Sequence, residues 1–234
     1  MKENYFLPKD YKPNKTNITM ESEDVTYWTK ERIHKSRIYQ YYVYLIAKEI
    51  KEKREISTII DVGCGTGLKL KMLTDNKSSI FGVDQESAID FCRKNLSFGT
   101  WIVDDIEKPN NLSKLPKADM VICADVIEHL PDPDKLFEYI DSILKPEGIL
   151  ILSTPERDNL RGNKNRKPKN PVHIREWNNE ELRKYISSKG YTLQKQKLTF
   201  PVKISLTKPF FMEVYKALKS IRSPFNNQIM VAKK

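Results

Sequence analysis

The 234-residue sequence predicts an α/β fold built on a parallel sheet, and three observations carry that prediction. Short β-branched runs recur at Thr58 to Val62, Ile80 to Val83, Thr100 to Val103, Met120 to Cys123 and Ile149 to Ser153. Helix-length segments separate them, the pattern of βαβ crossovers whose strands are covered on both faces. The first run also ends in a loop of three glycines, a turn through which a backbone can approach a ligand closely.

The elements follow in chain order. Residues 1 to 27 carry Pro8, Pro13, Asn14 and Asn17 without a sustained apolar period, so they read as an irregular arm draped over the core. From Ser36 to Glu52 the apolar residues Ile38, Tyr41, Tyr42, Leu45, Ile46 and Ile50 recur at helical steps, which predicts one amphipathic helix. Leu68 to Leu73 reads as helical after the glycines. A further helix follows Asp134, with Leu136, Phe137, Ile140, Ile143 and Leu144 on one face until Lys145-Pro146 stops it. Asn178-Asn179, followed by Glu180 and Glu181 and closed by Gly190, marks another. Thr192 to Thr199 and Gln228 to Ala232 read as strands joined through an amphipathic helix near Phe210 to Ile221. The domain division expected is an arm and helix over residues 1–55, covering the active site, and a main domain over 56–234.

Composition narrows the functional classes. The longest aliphatic run is Ile149-Leu150-Ile151-Leu152, too short for a membrane span, and the first residues lack the apolar stretch of a secretory signal. Cys64, Cys92 and Cys123 are odd in number and have no metal-knuckle spacing, so a reducing cytoplasm is expected. The net charge of +10 is spread over lysines along the whole chain and is read as compositional bias. One cluster is the exception: Arg161 to Lys169 holds five cations in nine residues, and such a loop can engage a phosphate or a nucleotide-linked diphosphate. A solvated surface loop is the plainer alternative. No aromatic-basic RNA module is evident, so nucleic acid is not the expected partner.

The loop Asp61-Val62-Gly63-Cys64-Gly65-Thr66-Gly67 has the order DxGxGxG, and the position where a dinucleotide fingerprint holds its third glycine is Leu68. An acid at the strand end suits a ligand with an ammonium and a ribose better than a pyrophosphate. Asp84 ends the next strand, 23 residues after Asp61, where it can accept from both ribose hydroxyls. Asp104 and Asp105 end the third strand; one carboxylate there can take an adenine amino group while the next backbone N–H meets a ring nitrogen. Surface solvation is the plainer expectation for Asp104, and less so for Asp105.

Together, the Asp61 to Gly67 loop, Asp84, Asp105-Ile106 and Ala124-Asp125-Val126-Ile127-Glu128-His129-Leu130 resemble the class I S-adenosylmethionine-dependent methyltransferases. Leu144 to Leu150 is similar to that family's turn into its fifth strand, with Glu147 where a glycine is commoner. The resemblance implies a doubly wound, mostly parallel, seven-stranded Rossmann-like sheet with an antiparallel last strand. It implies the cofactor S-adenosylmethionine: the methionine moiety against Asp61, Gly63 and Gly65, ribose on Asp84, adenine on Asp105 and Ile106, with Cys64 and Gly67 also in the cofactor-binding set. Gln85 and Ala124 would lie beside it, and Cys64 would pack. Within the superfamily, the Asp125 to Leu130 segment, Ser153 to Asp158 and His173-Ile174-Arg175-Glu176-Trp177 resemble the ubiquinone-pathway type and, more closely, relatives that methylate sugars during surface-glycan assembly.

Methyl transfer from a sulfonium is an in-line displacement that gains most from alignment, but an alcohol acceptor also needs a base or a metal. His129 lies just past a strand's carboxyl end, where such sheets bind ligands. Asp125, Glu128 and His129 have the spacing D-x-x-E-H, with His173 44 residues later. This is similar to an E-x-x-E-H pattern that holds a divalent metal, such as Mg2+, in methyltransferases acting on vicinal hydroxyls, with Asp125 in place of the first glutamate. The expected roles are catalytic for Glu128, His129 and His173, with the same three and Asp125 as metal candidates; a cofactor-touching turn is the structural alternative. The expected activity is O-methylation of a sugar or nucleotide-activated sugar, with a quinone precursor, RNA or a non-catalytic cofactor-binding role as alternatives. A dimer is possible through the later amphipathic helix.

Overall fold

The computed structural model describes residues 4–15, 30–204 and 223–234, so the expected helix near 210–221, Asn17, Tyr27 and Trp28 lie outside the described residues. Seven strands form one sheet in the order β3-β2-β1-β4-β5-β7-β6: β1 Thr58–Val62, β2 Ser79–Asp84, β3 Thr100–Val103, β4 Ala118–Ala124, β5 Leu144–Pro155, β6 Thr192–Thr199 and β7 Asn227–Lys233. β1 to β5 pair in parallel, and β7 is antiparallel to both neighbours. The chain order reverses between β1 and β4, so their carboxyl ends open onto the crevice where doubly wound sheets take ligands.

Period-two alternation sends successive residues of each central strand to opposite faces. Ile60, Val121, Leu150 and Leu152 pack under helices α4 Pro133–Ile143 and α6 Asn179–Ser188. Ile59, Met120, Ile122 and Ile151 pack under α2 Tyr41–Lys53 and α3 Glu86–Asn95. Asp61 shares the second face with Ile59, which turns its carboxylate toward α2. The arm does lie on the core over 4–15, where Leu7 and Tyr11 are buried in the first cluster. Among the described residues no helix is long and apolar enough to cross a membrane.

Several boundaries differ from expectation for identifiable reasons. The helix expected from Ser36 to Glu52 begins only at Tyr41, as α2; a separate helix, α1 Lys30–Ser36, precedes it, and Gln40 between them takes a left-handed conformation with φ 50°. The intervening residues are pinned from afar: Tyr39 bridges Val202, Gln40 N donates to Pro201 O and Lys203 N donates to Ile38 O. Leu68–Leu73 is a 3-10 rather than an α segment. α4 starts at Pro133, capped by Asp132 rather than Asp134, and Leu144 already pairs with β4. Within β5, where the pairing with β4 is irregular, Glu147 has φ 65°, a left-handed position that favours glycine. α6 carries a full capping box between Asn178 and Glu181. Before it, α5 is the short helix Arg157–Arg161.

Candidate functional site

The crevice begins at Asp61. Its carboxylate is fully buried; Oδ2 accepts from the Tyr44 hydroxyl at 2.8 Å, and Oδ1 has no hydrogen-bond partner among the described residues. Burial pushes its pKa up to about 7, against the Tyr44 hydrogen bond and the charge of Lys69. Lys69 donates to Ser36 O at 2.8 Å and lies over the Tyr44 ring; burial lowers its pKa while Asp61 and Asp125 oppose that. Sequence reasoning missed Tyr44 and Lys69, because Tyr44 lies off the apolar stripe expected for its helix, whose buried residues are Val43, Tyr44, Ile46 and Ala47, and helical periodicity marks Lys69 only as surface. An unpartnered buried carboxylate oxygen beside a cation is a fit for a zwitterionic amino acid, whose ammonium would complete Asp61.

The glycine loop is held by β2. Gly63 N and Cys64 N donate to Val83 O, and Gly65 N donates to Asp84 Oδ2 at 2.7 Å. Gln85 N takes Asp84 Oδ1 at 2.7 Å, so both oxygens of the expected ribose ligand already cap backbone, with lone pairs to spare. Burial raises the pKa of Asp84 against these bonds. Gly63, Gly65 and Gly67 all have positive φ. A β-carbon on Gly63 would meet Val126 Cγ2 at 2.3 Å and one on Gly67 the Trp101 ring at 2.7 Å. Internal packing thus accounts for these two glycines. Cys64 is buried, and Ala124 lies at the end of β4.

At the end of β3 the two aspartates exchange the expected environments. Asp104, expected to be solvated, is buried: Oδ1 accepts from Asp105 N, Asn110 N and Asn111 N, and Oδ2 from the Tyr139 hydroxyl at 2.9 Å. Asp105 is exposed and takes Glu107 N at 2.8 Å, with Ile106 half-buried next to it.

Beyond β4, one ligand atom each from Glu128, His129 and His173 lies within 4.8 Å of the others. Asp125 does not join them as expected: Ser153 and Gln40 donate to its two oxygens at 2.6 and 3.0 Å, and its φ of 55° turns the backbone there. Glu128 is 1% exposed and accepts from the Thr154 hydroxyl. Burial pushes its pKa up to about 8, the Asp125 charge adding and His173 opposing. His129 Nδ1 lies 2.9 Å from Val172 O. A carbonyl only accepts, so Nδ1 carries the proton, and Nε2 lies 4.0 Å from Glu128 Oε1. His173 Nδ1 lies 2.8 Å from Glu176 Oε1. Burial tends to raise the pKa of Glu176, but hydrogen bonds from His173 and Arg161 outweigh it and hold the group ionised. His173 Nδ1 is therefore a donor as well. Two imidazoles with outer partners on Nδ1, beside a carboxyl, can in their neutral form accept a proton or ligate a cation through Nε2.

The motif residues around this cluster lock one another. Arg161 grips Glu176 through two bonds of 2.9 Å, so it is not a free phosphate ligand. Arg157 grips Glu181 in the same way. Arg175 donates to Leu130 O and Pro131 O under the Tyr5 ring, and Trp177 is fully buried. Arg166 pairs with Asp10 of the arm, leaving Lys164, Lys167 and Lys169 exposed.

The family model described as "Methyltransferase domain" matches residues 33–196. A ubiquinone biosynthesis O-methyltransferase of Actinobacillus pleuropneumoniae is 26% identical over 107 residues, 42% of this chain and 46% of that protein. The chain thus spans about half the length of the curated relatives it matches. A chain of the complex between the Haloferax volcanii Trm112 methyltransferase activator and a methyltransferase superposes with TM-score 0.66 at 17% identity, covering 90% of this chain and 97% of that one. The plantazolicin methyltransferase BpumL, solved with a desmethyl analogue and S-adenosylhomocysteine, gives TM-score 0.61 at 16% identity over 87% of this chain and 89% of that one. The structural likenesses carry the fold alone, whereas a family match across well over half of the residues carries membership: this chain belongs to the class I S-adenosylmethionine-dependent methyltransferases.

Proposed function

We propose that the protein methylates a hydroxyl oxygen of a sugar or nucleotide-activated sugar in surface-glycan assembly. The observation that carries this reading is the Glu128, His129 and His173 cluster at the carboxyl end of β4. An alcohol must lose a proton as its oxygen attacks, and His129 in its neutral form would take it on Nε2. The acceptor oxygen forms a bond to the methyl carbon, the carbon–sulfur bond breaks with its electron pair on sulfur, and the proton passes to Nε2. Asp61 takes the donor's ammonium and Lys69 its carboxylate. Asp84 takes the ribose, and Asp105 with Ile106 takes the adenine.

The donor set also fits a divalent cation held by Glu128, His129 and His173. Two imidazoles favour Mn2+, Co2+ or Zn2+ over the oxygen-loving Mg2+. Such an ion would polarise the acceptor hydroxyl. Exposed Lys164, Lys167 and Lys169 favour a phosphorylated or nucleotide-linked acceptor.

The test is release of S-adenosylhomocysteine with a panel of nucleotide sugars, alongside a quinone precursor and RNA, with and without a chelator. Turnover of a nucleotide sugar is expected. Turnover confined to the quinone or RNA would replace the acceptor, and cofactor binding without any turnover would make the protein a binding partner.

A further inference from the structure

We propose that the N-terminal arm belongs to the catalytic apparatus, with Asn14 as a positioning residue that fixes the rings of His129 and His173 through the 168–174 segment. The importance of those rings rests on the hydroxyl-methylation reading; the contacts do not.

The segment that carries His173, and with it the carbonyl that orients His129, has no regular secondary structure. A loop of this kind ordinarily holds a side chain less firmly than a strand does. Here it is clamped from two sides. On the β4 side Ile174 N donates to Glu128 O at 2.7 Å, and Val172 O receives His129 Nδ1.

On the other side the arm supplies Asn14. Its amide nitrogen lies 2.9 Å from His173 O, 3.1 Å from Asn170 O and 3.4 Å from Pro168 O, and its backbone N donates to Ile174 O at 2.9 Å. Three carbonyls converging on one nitrogen need a donor-only group there, which a neutral carboxamide supplies and a carboxylate would repel. The neighbouring arm residues add rigidity: Lys12 N donates to Arg166 O, and the buried Tyr11 hydroxyl accepts from Glu176 N at 2.8 Å. Glu176 is the residue that pins His173, so the arm touches both the backbone and the outer partner of that ring. A residue 159 positions away in sequence thereby sets the geometry of the cluster.

The chain has only three histidines, which makes their ring signals assignable. Imidazole nitrogen–proton correlation spectra of the full chain, with Asn14→Ala, Asn14→Asp and Asn14→Gln variants, test the proposal beside methyl-transfer kinetics and S-adenosylhomocysteine calorimetry. In the unmodified protein His129 is expected as its Nδ1–H tautomer. In Asn14→Ala and Asn14→Asp the His129 and His173 signals shift toward mixed tautomers, and kcat falls roughly 10- to 100-fold, the range for loss of an outer partner. Product affinity stays within about twofold because Asp61 and the latch share no hydrogen-bond partner among the described residues. Asn14→Gln, which keeps the donor, recovers part of the loss. Ring signals identical to the unmodified protein in both Asn14→Ala and Asn14→Asp would overturn the proposal. An equal fall in product affinity and kcat would also overturn it, by making the arm a general stabiliser. Should no acceptor turn over, the hydroxyl reading fails while the ring spectra still decide the latch.

Discussion

The two halves of the crevice are assembled by opposite strategies. The half proposed to hold the cofactor takes Asp61, the glycine loop, Asp84 and Gln85 from two adjacent strands, β1 and β2, paired in direct parallel register, and from the turns after them. The half proposed to hold the acceptor takes Glu128 and His129 from the turn after β4, His173 and Glu176 from an irregular segment, Arg161 from α5 and Asn14 from the arm. The frame of the first half forms once two neighbouring strands pair, with Tyr44 of α2 added behind Asp61. The second forms only after chain segments far apart in sequence have docked. Chemistry common to a family can reside in the local half, while acceptor choice sits in the half that depends on long-range contacts.

The largest effect that separates the halves is at His129. His129→Ala and His173→Ala should lower methyl transfer about 10²- to 10⁴-fold, the usual contribution of a positioned acid or base. Calorimetry with S-adenosylhomocysteine should give an unchanged affinity for both. Activity that survives both His129→Ala and chelation would remove the cluster from the chemistry and leave it as a structural turn.

The same contrast explains what could be read from the residues alone. The strand-glycine-helix pattern and the acids at strand ends are local signals, so the positions of Asp61 and Asp84 at strand ends and the parallel part of the sheet are legible. Asp104 is misjudged because what buries it comes from elsewhere, the 110–111 backbone and Tyr139 on α4. Arg161 is read as a free cation because nothing in its own segment marks Glu176 as its partner. The break at Gln40 has no local breaker either; the segment at 201–203 imposes it. Asp125 matches a ligand spacing, yet Ser153 and Gln40 occupy its oxygens.

A smaller effect sharpens the cofactor half. Asp61 has a folded-state pKa near 7, raised above its ordinary value by burial. Protein without ligand therefore loses stability as pH climbs toward and through 7, since the carboxyl must ionise in a buried site that Tyr44 and Lys69 only partly compensate. A ligand ammonium reverses that cost, because it binds the ionised form. Between pH 6 and 8 the affinity for S-adenosylhomocysteine should rise about tenfold, and the ligand-induced increase in Tm should grow in parallel. Asp61→Asn should bind more weakly with a flat profile over this range. A wild-type profile that is flat as well would place the ammonium somewhere other than Asp61.

The smallest effect separates two roles inside one basic loop. Lys164, Lys167 and Lys169 are exposed, whereas Arg161 is spent on buried Glu176. Changing the three lysines to glutamine removes long-range attraction without touching the rings. The acceptor KM should therefore rise several-fold at low salt and less at high salt, with kcat and product affinity unchanged. Arg161→Lys keeps the loop's charge but loses the two-pronged grip on Glu176, which a single ammonium cannot reproduce. Its effect should fall on kcat, through a loosened His173, rather than on KM. Measuring both parameters for both variants decides the matter: if the lysine and arginine changes move the same constant, the loop is one electrostatic surface and the acceptor half is simpler than its contacts imply.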